Sequence, residues 1–157
     1  MIEKSPFSEI SQVGVIVQDM DKTIEYFGSL RIGPFKSLKK LSYVSRRFRG
    51  EPIDVDSVIS LKVMIAQIGQ LQLELIEPGE GALHWREFLD SKGEGIHHLG
   101  FFVHDIEKEQ AKLVANGVSV LYESRYQEGG GAAYFETNEV GGVLLELIQL
   151  PVGGLTW

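Results

Sequence analysis

The stretch Gly95-Ile96-His97-His98-Leu99-Gly100-Phe101-Phe102-Val103-His104-Asp105 decides the fold, because the chain carries a second version of it near its start. That second version is Ile10-Ser11-Gln12-Val13-Gly14-Val15-Ile16-Val17-Gln18-Asp19. At one offset of 86 residues (98 − 12), the matching pairs are Gln12 with His98, Gly14 with Gly100, Val17 with Val103 and Asp19 with Asp105. Internal repetition indicates a chain built from two related halves.

A second pair of segments repeats further along each half. Leu71–Pro78 reads like Leu144–Pro151, with Glu74 on Glu146 at an offset of 72 residues (146 − 74). Each half therefore opens with a strand that carries Gln or His and closes with a strand that carries Glu.

The elements between these strands predict the architecture. Asp19 and Asp105 are suited to cap helices, and each helix is followed by about three short strands, a weak one at 43–48 among them. The sequence predicts an α+β fold of two tandem βαβββ modules, 9–78 and 95–151, with a cleft between two antiparallel sheets. A connector with one short helix fills 79–94, and the whole chain, 1–157, is one domain.

Apolar residues at helical spacing predict the buried side of each helix. They are Ile24, Tyr26, Phe27 and Leu30 in the first helix, Leu83, Trp85, Phe88 and Leu89 in the connector, and Ile106, Leu113 and Val114 in the last. His84 and His104 are predicted at the surface, and His97 is predicted to be structural or partly exposed.

Composition excludes several classes of function. The 157 residues include no cysteine, which excludes disulfides, thiolate metal sites and cysteine nucleophiles. A net charge of −7 argues against nucleic-acid binding, and no apolar run is long enough to cross a membrane. The start of the chain lacks a signal-peptide pattern, so the prediction is a cytoplasmic protein. Arg46, Arg47 and Arg49 form either a solvated edge or a place for one anionic small molecule.

Strand alternation places four polar side chains on the faces that are predicted to point into the cleft. They are Gln12 and His98 from the opening strands, and Glu74 and Glu146 from the closing strands. Two carboxylates on an apolar sheet face carry a large desolvation cost unless they share a cation or a proton, or keep water. One divalent ion, Mg, Mn, Co, Ni or Zn, would satisfy this donor set.

The motifs Gln12–Asp19, Glu74–Pro78, Gly95–Gly100 and Gly141–Leu147 together resemble the vicinal oxygen chelate superfamily, and within it the glyoxalase I and methylmalonyl-CoA epimerase branch. The resemblance covers about residues 9 to 151. It implies metal ligands at Gln12, Glu74, His98 and Glu146. It also implies a cation that binds two neighbouring substrate oxygens and stabilises an enolate, while Glu146 or Glu74 moves the proton on the adjacent carbon.

Two alternatives accompany this hypothesis. Epimerases usually carry His at the position of Gln12, and a glutamine at this position is similar to some glyoxalases. Gln12 is therefore either a metal ligand or a residue that supports a metal ligand. A single His in the ligand set argues against the extradiol dioxygenases, which need two.

The predicted function is a lyase or isomerase acting on a small 2-oxo or acyl-CoA substrate, in a homodimer. The competing function is a drug-sequestering protein of the same fold with an apolar cleft.

Overall fold

The computed structural model describes residues 5–154, in which three helices and ten strands form an α+β fold, as the sequence predicted. The predicted domain 1–157 extends beyond these residues at both ends. The helices are α1 (Met20–Ser29), α2 (Leu83–Lys92) and α3 (Ile106–Ala115). The strands are β1 (Gln12–Ile16), β2 (Lys36–Ser37), β3 (Tyr43–Phe48), β4 (Glu51–Pro52), β5 (Leu61–Ile68), β6 (Leu71–Pro78), β7 (Gly95–Phe102), β8 (Val120–Tyr126), β9 (Gly131–Phe135) and β10 (Leu144–Gln149). Within the described part of the chain, no helix has the length and apolar character that a membrane crossing requires.

The described residues form two compact units. The β1 unit comprises Gln12–Lys39 and Val58–His98. The β10 unit comprises the described residues before Gln12, the segment Lys40–Ser57 and the described residues after His98. The predicted modules 9–78 and 95–151 are repeats of the sequence, and their equivalence as modules in space stays a prediction.

The β1 unit has strands in the order β2-β5-β6-β1. Strands β5 and β6 form an antiparallel hairpin, whereas β1 runs parallel to β6, with Gln12 opposite Gln72 and Gly14 opposite Glu74. The sequence predicted antiparallel sheets, and this sheet is mixed. Parallel neighbours need a long crossover connection, and residues 17–70, which include α1 and β5, provide it here.

Helix α1 covers the face of the β1 unit that the sequence predicted. Val17, Met20 and Leu75 form its core, with Ile24 and Phe27 packed against them. Tyr26 is 62% exposed and Leu30 is also exposed, so their predicted burial is wrong. Tyr26 lies about 200° around the helix from Ile24, and Leu30 falls after the last helical residue.

The β10 unit has strands in the order β10-β9-β8-β3-β4, with antiparallel neighbours. Its core contains Phe101, Ile106, Ala133, Phe135 and Leu147, and Leu113 packs against it. Val114, predicted to be buried, is half exposed. It follows Leu113 by one residue and so points about 100° away from the apolar side of α3 on which Leu113 lies. Strand β3 pairs with β8, so this segment of the first half in sequence belongs to the β10 unit.

The two repeats cap their helices in the same way. The carboxylate of Asp19 accepts the N–H of Lys22, and Asp105 accepts the N–H of Lys108, each at 3.0 Å. Closing strands add a second cap: Glu77 Oε2 accepts the N–H of Met20 at 2.7 Å, and Gln149 Oε1 accepts the N–H of Ile106 at 2.9 Å. Each cap satisfies a donor that a helix start leaves unpaired, so the repetition has a structural basis.

Candidate functional site

Three side chains that the sequence singled out meet in the β1 unit. His98 Nε2 lies 3.2 Å from Gln12 Oε1 and 3.3 Å from Glu74 Oε2. All three residues are buried, and the ring of His98 has no exposed surface. We call this set the Gln12–Glu74–His98 cluster. It brings together an amide oxygen, a carboxylate and an imidazole nitrogen around one point.

Gly14 makes room for the imidazole of this cluster. A Cβ built on Gly14 would lie 1.8 Å from His98 Cε1, 2.3 Å from Nδ1 and 2.4 Å from Nε2. No side chain fits at that distance, so the His98 ring occupies the space that any residue other than glycine would fill. The glycine of the opening strand is therefore a requirement of the site.

Gln72 orients the amide of Gln12. The two residues are partners in the β1–β6 register, and Gln12 Nε2 donates a hydrogen bond to Gln72 Oε1 at 3.2 Å. Because the amide nitrogen is engaged there, the amide oxygen points to His98. Gln72 was not predicted as a site residue, although it lies two positions before Glu74 and so shares its face.

A chain of three imidazoles extends from the cluster. His98 Nδ1 lies 3.0 Å from His97 Nδ1, and His97 Nε2 lies 3.1 Å from His84 Nδ1 on α2. His97 is 1% exposed and His84 is 4% exposed. The predicted surface position of His84 is therefore wrong. Its burial depends on how α2 packs. The signal in the sequence is the neighbouring Trp85, predicted to be buried, whose ring is tilted against His84 with centroids 3.9 Å apart.

Burial controls the charge of the central imidazole. Desolvation lowers the pKa of His97 to about 3, and the neighbouring His98 and Lys92 lower it further by smaller amounts. His97 is therefore neutral near pH 7. A neutral imidazole has one N–H and one lone pair, so it can accept a hydrogen bond from one side and donate one to the other.

Glu146, the fourth predicted ligand, belongs to the β10 unit and is buried. It lies opposite Tyr134 in the β9–β10 register, and Tyr134 lies opposite Tyr122 on β8. Burial raises the pKa of Tyr122 and Tyr126, and the charge of Glu146 raises both further. These phenols keep their protons near neutral pH. The convergence of Glu146 with the Gln12–Glu74–His98 cluster stays a prediction.

The donors of the cluster fit a divalent cation. Oxygen and nitrogen ligands at about 2.1 Å from an octahedral ion lie about 3.0 Å from their neighbours, close to the 3.2 Å and 3.3 Å found here. Within residues 5–154, no group of three His, Cys, Asp or Glu side chains is arranged to hold an ion. The cluster has only two residues of those types, and its third donor is an amide.

Glu77 and His104 lie where the sequence predicted. Glu77 was expected on the face away from Glu74, and it accepts hydrogen bonds from the Met20 N–H and from Lys62 Nζ, the latter at 2.8 Å. His104 is exposed. Neither residue is part of the site.

Arg46 has a structural role that the sequence did not indicate. It is 4% exposed, and its Nη2 donates to the carbonyl of Ser57 at 2.7 Å, to Ser57 Oγ at 2.9 Å and to the carbonyl of Asp54. Arg47 is exposed and donates to the carbonyl of Gly50 at 2.6 Å. The arginines therefore differ in environment, and Arg46 holds the loop that follows β4.

Replacing Arg46 with Met is expected to lower the free energy of unfolding by about 2 kcal/mol, because buried hydrogen bonds from a charged donor contribute about 1.5–3 kcal/mol. Urea denaturation measures this change, and amide hydrogen exchange of residues 53–57 should accelerate. Arg47→Met is the matched control and should change stability by less than about 0.5 kcal/mol. Equal midpoints for the two variants would show that the buried hydrogen bonds of Arg46 contribute nothing.

Comparison with known proteins agrees with the fold. A sequence model of the Glyoxalase/Bleomycin resistance protein/Dioxygenase superfamily matches residues 11–135. The uncharacterized protein YqjC of Bacillus subtilis is 32% identical over 98 residues, which cover 60% of this chain and 70% of YqjC. A Bacillus halodurans structure, hypothetical protein BH1468, is 25% identical with a TM-score of 0.65, over 90% of this chain and 93% of that one.

A further similar structure carries a bound molecule. It is a variant of the Streptomyces coelicolor methylmalonyl-CoA epimerase in complex with 2-nitronate-propionyl-CoA, 23% identical, with a TM-score of 0.67 over 89% of this chain and 95% of that one. At this identity the likeness shows the fold. The match over residues 11–135 spans most of the chain and shows the family. This chain belongs to the glyoxalase/bleomycin resistance protein/dioxygenase superfamily.

Proposed function

We propose that the protein is a divalent-metal-dependent lyase or isomerase that moves a proton on a carbon next to a carbonyl or thioester group. The observation that carries the proposal is the approach of Gln12 Oε1 and Glu74 Oε2 to His98 Nε2 within 3.3 Å. Buried side chains with this mixture of donors are typical of a site for a hard or borderline cation. Membership in the superfamily supports the same chemistry.

Each residue of the predicted set has a role in this proposal. Gln12, Glu74, His98 and Glu146 would hold the ion, and a divalent cation supplies electrostatic stabilisation of negative charge on substrate oxygens. Glu146, or Glu74, would accept the proton. The carbon–hydrogen bond breaks, its electron pair stays on the substrate as an enolate, and the proton goes to a carboxylate oxygen before it returns to carbon.

The environment of Glu146 favours it as the proton carrier. Its register partner is Tyr134, and the pKa values of Tyr122 and Tyr126 are raised by burial. Protonated phenols can donate hydrogen bonds but are poor bases near pH 7. A carboxylate in the same unit is the better proton acceptor, so the proposal assigns the transfer to Glu146 first.

The proposed substrate is a small 2-oxo compound or an acyl-CoA. The epimerase bound to 2-nitronate-propionyl-CoA, which has the same fold, supports the second class. A cytoplasmic location and a homodimer belong to the proposal as the sequence predicts them. The non-catalytic alternative, a binding protein of this family, is separated from the enzyme by the experiment that follows.

The proposal is tested by metal content and by proton exchange. Purified protein is expected to contain about one divalent ion per chain by mass spectrometry, and His98→Ala should lose it. In D₂O the wild type should exchange the acidic hydrogen of a 2-methylacyl-CoA or a 2-oxoaldehyde hemithioacetal. Glu146→Gln should slow this exchange by about 10²-fold or more, the usual contribution of a general base.

Two exposed residues provide matched controls. His104→Ala and Glu139→Gln make the same chemical changes outside the site and should leave metal content and exchange rates as in the wild type. A wild type that binds no divalent ion and exchanges no hydrogen in either substrate class would refute the proposal. Metal binding without exchange would favour the binding protein.

A further inference from the structure

When its three rings are neutral, the histidine chain, His98, His97 and His84, has only two ways to place its hydrogens. Each of its two contacts, at 3.0 Å and 3.1 Å, joins two ring nitrogens, so one nitrogen must carry the hydrogen and the other must supply the lone pair. In one arrangement the hydrogens lie on His98 Nδ1, His97 Nε2 and His84 Nε2. In the other they lie on His98 Nε2, His97 Nδ1 and His84 Nδ1.

Only the first arrangement lets the site bind a cation through His98. The Nε2 atom of His98 faces the oxygens of Gln12 and Glu74, and coordination requires its lone pair. Its hydrogen must then be on Nδ1, whose partner is His97 Nδ1. Without a cation, the same two oxygens are acceptors for an Nε2 hydrogen and favour the second arrangement.

We propose that His97 and His84 are positioning residues that couple the tautomer of His98 to the occupancy of the site. The cation in this inference rests on the proposed function, whereas the coupling between the rings rests on their contacts. When a cation binds, His98 Nδ1 takes the hydrogen of His97 Nδ1, and His97 Nε2 takes the hydrogen of His84 Nδ1. His98 Nε2 releases one proton to solvent and His84 Nε2 takes one up from solvent, so the net proton count is unchanged and each ring remains neutral.

Packing around the chain favours such a positioning role. The His84 ring stacks on His97 with ring centroids 5.1 Å apart and is tilted against Trp85 at 3.9 Å, and the Phe88 ring meets His97 edge-on at 5.2 Å. The rings are therefore fixed in orientation. Metal-bound histidines usually donate their second N–H to a carboxylate, a carbonyl or water, which accept in every state. An imidazole acceptor accepts in only one tautomer, so the whole chain must switch together.

The tautomers can be read directly from protein labelled with ¹⁵N-histidine. Two-bond ¹H–¹⁵N spectra, assigned with single variants, are expected to show metal-free protein with hydrogen on Nε2 of His98 and on Nδ1 of both His97 and His84. Saturation with Zn²⁺ should move the hydrogen to the other ring nitrogen in all three histidines. A His97 or His84 tautomer that stays unchanged while Zn²⁺ binds His98 would overturn the inference.

Variants of His97 separate positioning from packing. His97→Phe keeps an aromatic ring but removes the acceptor for His98 Nδ1, and should weaken Zn²⁺ binding by about 10- to 100-fold in calorimetric titration. His97→Asn provides an acceptor oxygen near the same position and should recover most of the affinity. Equal losses in the two variants would indicate packing alone. His104→Phe, at an exposed position, is the control.

The outcomes distinguish this inference from the proposed function. If either variant fails to fold, the wild-type spectra decide without it. If wild-type protein binds neither Zn²⁺ nor another divalent ion, the metal site of the proposed function fails, and the metal-free spectrum still tests the coupling. A spectrum in which all three rings carry their hydrogens as in one of the two arrangements would support the coupling. A mixture of tautomers at His97 would refute it.

Discussion

Gly14→Ala is expected to lower the free energy of unfolding by about 3 kcal/mol and to weaken divalent-cation binding at least tenfold. The new methyl group would lie 1.8 Å from His98 Cε1, and the buried ring has no space to move into without leaving Gln12 and Glu74. Overpacking of a core costs about 1–3 kcal/mol, and a buried polar group that loses its hydrogen bond costs about 1–3 kcal/mol more. Urea denaturation and calorimetric titration measure the two effects.

Gly28→Ala is the matched control for this prediction. A Cβ on Gly28 would meet no atom within 4 Å, and the residue lies inside α1. Alanine is the better helix former by about 1 kcal/mol, so this variant should be at least as stable as the wild type. A Gly14→Ala protein with wild-type stability and wild-type cation affinity would show that the His98 ring does not occupy the space beside β1.

The sequence repeat predicted the face on which Gly14 lies, but not its contact with the His98 ring. Matching Gly14 with Gly100 and Gln12 with His98 assigned faces to the opening strands, because a strand alternates its side chains. In the β1 unit Gln12, Glu74 and His98 contact one another, and their role as metal ligands stays a prediction. Spacing alone could not show that the ring lies directly over the glycine, since that depends on the distance between two strands 86 residues apart (98 − 12) in the chain.

Non-local contacts account for what the sequence did not predict. The segment 43–48 forms a strand, but its partner is β8, which lies more than 70 residues away (120 − 48 = 72). His84 follows the polar pattern of a surface helix, yet α2 turns it toward His97. Capping was predictable because Asp19 and Asp105 act within four residues of their own position.

Acid is expected to destabilise the metal-free protein through His97. Its pKa is about 3 in the folded state, whereas an exposed histidine in the unfolded chain has a pKa of 6.5. The unfolded chain therefore binds the proton more readily, so the free energy of unfolding rises with pH and falls as the pH drops below 6.5. The loss approaches about 1.4 kcal/mol per pH unit and ends near the folded-state pKa. Between pH 7 and pH 5 it amounts to about 2 kcal/mol.

The comparison that isolates this effect uses His97→Asn with His104→Asn as its control, in the presence of a chelator. His97→Asn should lose about 2 kcal/mol of the stability change between pH 7 and pH 5, and His104→Asn, at an exposed position, should retain the wild-type change. The lowered carboxylate pKa values of Glu77 and Glu107 act below 4.5, outside this window. Urea midpoints at half-unit pH steps measure the slopes. Identical slopes for the wild type and His97→Asn would mean that His97 accepts a proton in the folded state as readily as in the unfolded chain, which its burial beside His84 and His98 opposes.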